Sequence, residues 1–481
     1  MKGYFKLKQL LSKFKNKEYK DLIFFSMIAM IFFGILLQME YATDTYAVFT
    51  TSPKVSAEHF IGDGRFVTAF FTIVCGKLSL GNHAIYIIST IVALIALVLS
   101  LHVFNSIIKE HIKNEWISRV LSVITILNVF IIELFMFIEK GIIVSSVLLN
   151  VIAVKYFVDY LKEKKKKKLL IVTAVLMLAS GCYQGTLALF IALSSVFIVK
   201  YSKNFKEFLV NNLWIILAYG VAGVFNLTIS KIFAGTRTSG AINLGESIEK
   251  IFNGSLGMFK TNGIINSTAL IIIGILVLIF IIAAILKSNK NKIISVLQLL
   301  YIVLATYIIV IAPQFLQNTA SIWMVPRSTY AFASIIGIVL IFAFIQLEAN
   351  KKEDIVIFAI IATILFTAQY ISFSKIITDR YKLNELDKIR ANEIISSIET
   401  YEKENNKVID TIVFNKSNIM YTYEGITAIG DMNVRAFSSD WATKSILEYF
   451  SNRTFNVESE EIKIYQEDLE FKENKLYINN K

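Results

Sequence analysis

Apolar residues fall along this chain in long blocks separated by short polar loops. The first block runs from Asp21 to Met39. A helix of roughly 20 residues, rising 1.5 Å per residue, crosses a hydrocarbon core about 30 Å thick. Further blocks follow at His83 to Ile108, Trp116 to Ile138 and Gly141 to Leu161. Leu169 to Val199 is 31 residues long and is interrupted by Gly181-Cys182-Tyr183-Gln184-Gly185. It reads as two short spans around a turn that dips into the membrane. Irregular backbone is tolerated at that depth where it lines a cavity or is packed in protein. Phe208 to Phe233, Ala269 to Leu286, Ile293 to Ala312, Ser328 to Leu347 and Ile355 to Ser374 complete a set of about eleven spans.

The remaining polar segments have their own patterning. Residues 1–20 carry seven lysines and one glutamate and predict a basic helix on the inner membrane surface, drawn to anionic lipid. Arg65 to Leu80 is amphipathic and aromatic and predicts a helix along the outer interface. Residues 376–481 are polar with globular patterning. Arg380 to Asn405 predicts a charged helix, and Ser438 to Phe450 a second, N-capped by Ser438 or Ser439. Val408 to Phe414, Glu461 to Tyr465, Leu469 to Phe471 and Leu476 to Asn479 predict strands. The expected organisation is a basic N-terminal helix (1–20), a transmembrane domain (21–375) and a small α/β domain (376–481).

Composition agrees with this pattern: 55% of the 481 residues are hydrophobic, with 37 Phe and only 3 Pro, which is too apolar for a soluble chain of this length. The net charge of +12 comes from lysine in short loops. That suits the inner side of a bacterial plasma membrane better than nucleic-acid binding. The lysines fix the N-terminus inside, with the first span as an uncleaved anchor. If the block at 169–199 is two spans, the lysine clusters at 200–206, 287–292 and 351–352 all fall inside. An odd span count then puts the C-terminal domain outside the cytoplasm. Cys75 and Cys182 lack metal-ligand spacing, and the four His are scattered.

Under this topology the polar groups with chemical potential share the outer side. Glu40 and Asp44 end the first span, one turn apart on one face. Asp63 and Arg65 precede the interface helix, and Tyr183 and Gln184 lie in the broken pair. Arg237 sits in the loop Gly235 to Gly240, and Arg327 opens a span after Pro326. A carboxylate there can take a proton, and an arginine can hold a phosphate by two parallel hydrogen bonds. Singly, each has a bland reading: a solvated loop charge or a lipid-headgroup anchor. Glu133 and Asp159, inside apolar blocks, are expected to snorkel or pair locally. Walker A, GxGxxG, HExxH and nucleophile-elbow patterns are absent from the sequence. A reaction outside the cell without ATP needs a substrate that brings its own leaving group.

Asp44 in Tyr41-Ala42-Thr43-Asp44-Thr45-Tyr46, Asp63-Gly64-Arg65, the Gly181–Gly185 element and Pro326-Arg327 together resemble the membrane-embedded glycosyltransferases of the C fold. Among these the chain is most similar to the type II glucosyltransferases, which add glucose branches to bacterial O-antigens and related surface polysaccharides. The family often carries paired acids at the end of the first span, whereas Thr43 precedes a single Asp44 here. The resemblance implies a polyprenyl-phosphate sugar donor, undecaprenyl-phosphate glucose, and a polysaccharide acceptor. It implies inversion at the anomeric carbon, with Asp44 or Asp63 as base. Arg65, Arg327 and Arg237 are then expected to hold the phosphate, and Tyr183, Gln184 and Glu40 the sugar. No cofactor is expected, and a divalent metal has no clear ligand set. The competing readings are a flippase for a lipid-linked glycan, which needs polar groups near the midplane, and a lipid-dependent transferase for another sugar.

Overall fold

A computed structural model describes residues 17–38, 40–233, 243–347, 351–417, 419–461 and 468–479. Most of the basic N-terminal segment, Arg237 and all but the first residue of the expected strand Glu461 to Tyr465 lie outside the described residues.

Helix α1 (Lys17–Phe33) continues as a 3-10 turn to Leu37. The first loop then folds into three short helices, α2 (Thr43–Thr50), α3 (Pro53–Gly62) and α4 (Phe66–Lys77). The membrane part continues with α5 (Asn82–Lys109), α6 (Glu115–Ile126), α7 (Ile131–Leu134), α8 (Lys140–Glu163), α9 (Lys167–Cys182), α10 (Ala188–Tyr201) and α11 (Phe205–Ile232). After it come α12 (Leu244–Phe259), α13 (Ser267–Lys287), α14 (Lys292–Ile311), α15 (Tyr330–Ala333), α16 (Ile335–Gln346) and α17 (Lys352–Asn405). The C-terminal part holds β1 (Thr411–Asn415), α18 (Asp440–Ser451), β2 (Asn456–Glu460), β3 (Leu469–Lys472) and β4 (Lys475–Ile478).

Among the described residues, eight helices are long and apolar enough to cross a membrane. The other three expected spans are α6, with 12 residues, α9, with 16, and the pair α15 and α16, with 4 and 12. Asn128 explains the stop after α6. Its Oδ1 accepts the Phe130 N–H at 2.9 Å, and its Nδ2 donates to Ser334 Oγ at 2.9 Å. Such a local side-chain turn competes with the helix. The carbonyls it frees are recovered: Tyr330 Oη donates to Ile126 O, and Gln369 Nε2 to Leu127 O at 2.8 Å. Buried irregular backbone survives because each polar group finds a partner in protein.

The break between α9 and α10 falls where the glycines predicted it and follows the same rule. Tyr183 is extended. Asn226 Nδ2 caps Ser180 O at 3.1 Å, and Thr68 Oγ1 caps Cys182 O at 3.1 Å. A Cβ on Gly181 would stand 2.2 Å from the Phe66 ring. Glycine there lets α4 lie against the break.

Asp21 near the start of α1 accepts from Arg119 Nε at 2.7 Å and also pairs with Lys109. Asp159 pairs with Lys168 at 3.0 Å. The other end of α1 leads to Glu40, so the basic cluster and the first loop occupy opposite ends of the bundle.

The expected span Ile355 to Ser374 and the expected helix Arg380 to Asn405 are one continuous helix, α17, of 54 residues. It holds neither glycine nor proline, so nothing stops it where polarity changes. At 1.5 Å per residue it is about 80 Å long. Its far end packs on a four-stranded sheet of order β2-β1-β4-β3, in which β1 runs parallel to β2 and β4, and β3 pairs antiparallel to β4. The second strand is Asn456–Glu460, ahead of the segment expected from the sequence. Ser439 does stand at the N-cap of α18, but without a side-chain capping bond. Ile394 and Ile398 of α17, Ile412, Leu447 and Leu476 share a core with Tyr46 from the first loop. The C-terminal part is therefore packed on the first loop.

Candidate active site

Helix α2 starts at Thr43 because Ala42 is extended and Thr45 Oγ1 accepts the Ala42 N–H at 3.1 Å. Asp44 falls in the first turn, where the helix dipole favours a carboxylate. It is partly exposed. Burial pushes its carboxyl above the usual aspartate range, and Asp431 adds to this; Arg327, Arg65 and His59 pull the other way. Asp44 thus shares one electrostatic neighbourhood with two arginines from distant parts of the chain.

Arg65 is buried. Its guanidinium lies 3.8 Å from Asp63 Oδ2, 3.7 Å from Glu139 Oε1 and 5.0 Å from the centre of the Tyr183 ring. The turn that presents it needs Gly64, at φ +79°. A Cβ there would meet Asn226 Oδ1 at 2.6 Å. Asn226 Nδ2 donates to Gly64 O at 2.8 Å, Ser230 Oγ to Gly62 O at 2.5 Å and Gln184 Nε2 to Asp63 O at 3.2 Å. Helix α11 and the α9–α10 break therefore fix Arg65 by its backbone. The orphaned, buried Arg65 Nε and Gln184 Oε1 leave one donor and one acceptor among these groups unused.

Arg327 is held from the other side. Glu133 Oε2 accepts its backbone N–H at 2.6 Å, and Glu133 Oε1 takes Nη1 at 3.3 Å. The same Oε1 accepts the Asp431 N–H at 3.0 Å, and the Asp431 carboxylate pairs with Arg327 Nη1. The guanidinium carbon lies 4.6 Å from the centre of the Phe137 ring. Glu133 is fully buried, so it joins two loops as an internal anchor.

The structure thus brings Asp44, Asp63, Arg65, Tyr183, Gln184 and Arg327 to one end of the bundle. Glu40 departs from the expectation. Gln38 is already extended, so Glu40 does not continue a helix face with Asp44. It is buried, and its charge is felt with those of Arg380 and Lys140; burial outweighs these cations and pushes its carboxyl up to about 7. Glu139 and Lys140, at the turn into α8, are both buried. Lys140 Nζ donates to Thr90 Oγ1 at 3.2 Å and lies 3.5 Å from the centre of the Tyr86 ring. Glu139 faces Arg65, and burial pushes its carboxyl above the usual range.

Sequence reasoning missed Glu139, Arg380 and Asp431 as neighbours of the site. Only Glu139 carried a signal, a carboxylate between two apolar blocks. Among the described residues no group of three or more His, Cys, Asp or Glu side chains is placed to hold a metal ion. Both cysteines are buried and unpaired. Chemically, the arrangement offers a carboxylate that gains a proton readily beside two fixed cations.

Residues 33–338 match the family model described as Glucosyl transferase GtrII. The chain belongs to this family. The match covers nearly two thirds of the sequence. It takes in Asp44, Asp63, Arg65, Glu139, Tyr183, Gln184, Arg237 and Arg327, and leaves out Arg380, Asp431 and the sheet. No curated protein gives a significant match. Glucosyltransferase family membership and eight long apolar helices together make the chain a membrane-embedded glycosyltransferase.

Proposed function

We propose that the protein moves glucose from a polyprenyl-phosphate donor to a cell-surface polysaccharide on the outer side of a bacterial plasma membrane. Two anchored arginines carry this reading: Arg65, held between Asp63 and Glu139, and Arg327, held between Glu133 and Asp431, with both charges felt at the Asp44 carboxyl. Asp44 takes the proton of an acceptor hydroxyl. The hydroxyl oxygen bonds to the anomeric carbon from the face opposite the phosphate. The bond from that carbon to the phosphate oxygen breaks, inverting the configuration and releasing polyprenyl phosphate. Arg65 and Arg327 neutralise the charge that grows on the leaving phosphate, the kind of fixed electrostatic help that dominates such steps. Asp63 and Glu139 position Arg65, and Glu133 and Asp431 position Arg327. Gln184 and Tyr183 border the sugar. Arg237 is a third phosphate ligand, although it lies outside the described residues. The basic cluster at Asp21, at the other end of α1, supports an outward-facing site.

The test is transfer by the purified protein from synthetic polyprenyl-phosphate glucose, run beside a nucleotide-sugar donor. Transfer from the lipid donor alone is expected. Lipid scrambling in vesicles without any transfer would instead establish a flippase.

A further inference from the structure

Two cavities flank the first loop, and Phe49 and Asn82 line both of them. One is narrow and mainly apolar, about 140 Å³, with Glu139 among its walls. The other is polar and about 330 Å³, within the ~300–1,000 Å³ typical of small-molecule sites. It opens at the seam between α2, the start of α5 and the turn after α18, where Tyr449, Asn452, Arg453 and Thr454 complete it.

Its chemistry is specific. Phe49 and Tyr449 lie nearly parallel, at 27°, with ring centres 6.0 Å apart, and both are partly exposed. Such rings give apolar faces on which the C–H face of a pyranose can lie. Asn82 and Asn452 add paired donors and acceptors suited to vicinal hydroxyls. The one guanidinium in the wall is already satisfied. Arg453 forks onto Glu402 at 3.1 and 2.8 Å and donates to Ile409 O at 2.9 Å. Glu448 is likewise engaged, accepting the Phe455 N–H at 2.9 Å and lying 3.6 Å from Lys444 Nζ. With its charges paired internally, the cavity suits a neutral saccharide better than a phosphate.

We infer that this cavity binds neutral sugar units of the acceptor, which makes the C-terminal part a reader of the glycan being modified. The inference rests on the glycosyl-transfer reading above. Phe49 is five residues past Asp44 on α2, about 7–8 Å along the axis. Five residues also turn the helix by about 140°, so a glycan seated on Phe49 and Tyr449 reaches Asp44 with a later unit that passes round α2.

The test uses the full chain in nanodiscs and neutral oligosaccharides released from the surface polysaccharide of the producing cells. Saturation-transfer NMR should show binding to the natural protein and loss of it in Thr454→Trp, which fills the cavity. In transfer assays the acceptor KM should rise about tenfold or more, equivalent to 1.4 kcal/mol. Hydrolysis of the donor by water should stay unchanged. Should Thr454→Trp fail to fold, Asn82→Ala and Asn452→Gly carry the same prediction with smaller shifts. No binding to the natural protein, or equal binding to all variants, would overturn the inference. Binding that the variants abolish, without transfer from the lipid donor, would keep the cavity and remove the donor assignment.

Discussion

Glu133→Gln separates a structural anchor from a participant in the chemistry. The carboxylate accepts three hydrogen bonds, from Arg327 N, Arg327 Nη1 and Asp431 N. Glutamine keeps the shape but only one acceptor oxygen. If that oxygen takes the place of Oε1, the amide NH₂ faces the Arg327 N–H, donor against donor. A charge-assisted bond worth about 1.5–3 kcal/mol is lost, and a buried N–H costing about 1–3 kcal/mol is left unpaired. The total, about 2.5–6 kcal/mol, brackets the roughly 3–5 kcal/mol expected for breaking a buried ion pair. The loss falls on the Pro326-Arg327 and Gly430-Asp431 turns together. The detergent-solubilised variant should therefore melt several degrees lower and be cut by protease near residue 430, and its transfer rate should fall in step. An unchanged melting temperature with a large loss of transfer would refute the anchor and make Glu133 a direct participant.

The acid limb of kcat/KM should lie above the usual aspartate range, because Asp44 must be ionised to act and burial raises its pKa. Arg65→Gln and Arg327→Gln remove stabilising cations, so each should move that limb further up; a limb that moves down would contradict the assignment. Glu40 titrates near 7 when folded against 4.5 otherwise, so the stability linked to its protonation is present below 4.5 and is lost as pH rises through 7. The melting temperature should fall across that window, and Glu40→Gln should flatten the fall. Gly181→Ala forces a methyl onto the Phe66 ring and should cost about 1–3 kcal/mol by overpacking, with transfer reduced by misplacement of Arg65. Asp440→Cys should react with an impermeant thiol reagent in intact cells; protection until lysis would place the C-terminal sheet inside.

Much of this was legible in the apolar blocks. Eight of the eleven expected spans became helices long enough to cross a membrane, and the glycines around Tyr183 marked the break that occurs. What stayed hidden is long-range pairing. Asn128 reads as one polar residue in an apolar run, and only its bond to Ser334 and the rescue of the freed carbonyls by Tyr330 and Gln369 turn it into a helix stop. Glu40 and Asp44 match a helix period, but the chain becomes extended at Gln38 and separates them. Asp63 and Arg65 were visible as a pair near a glycine. The clamp that gives Arg65 its position comes from Asn226 and Ser230, ordinary polar residues on α11. Asp431 lies in an unremarkable turn, and nothing local announces that it meets Arg327.

In the proposed reaction Asp44 takes the acceptor proton beside a phosphate held by Arg65 and Arg327. Single-turnover transfer from synthetic polyprenyl-phosphate glucose, comparing the natural protein with Asp44→Asn and Asp63→Asn, tests it most directly. Asp44→Asn should lose about 10²–10⁴ in the chemical step, with donor binding retained, and Asp63→Asn should lose less. Undiminished transfer by Asp44→Asn would contradict it.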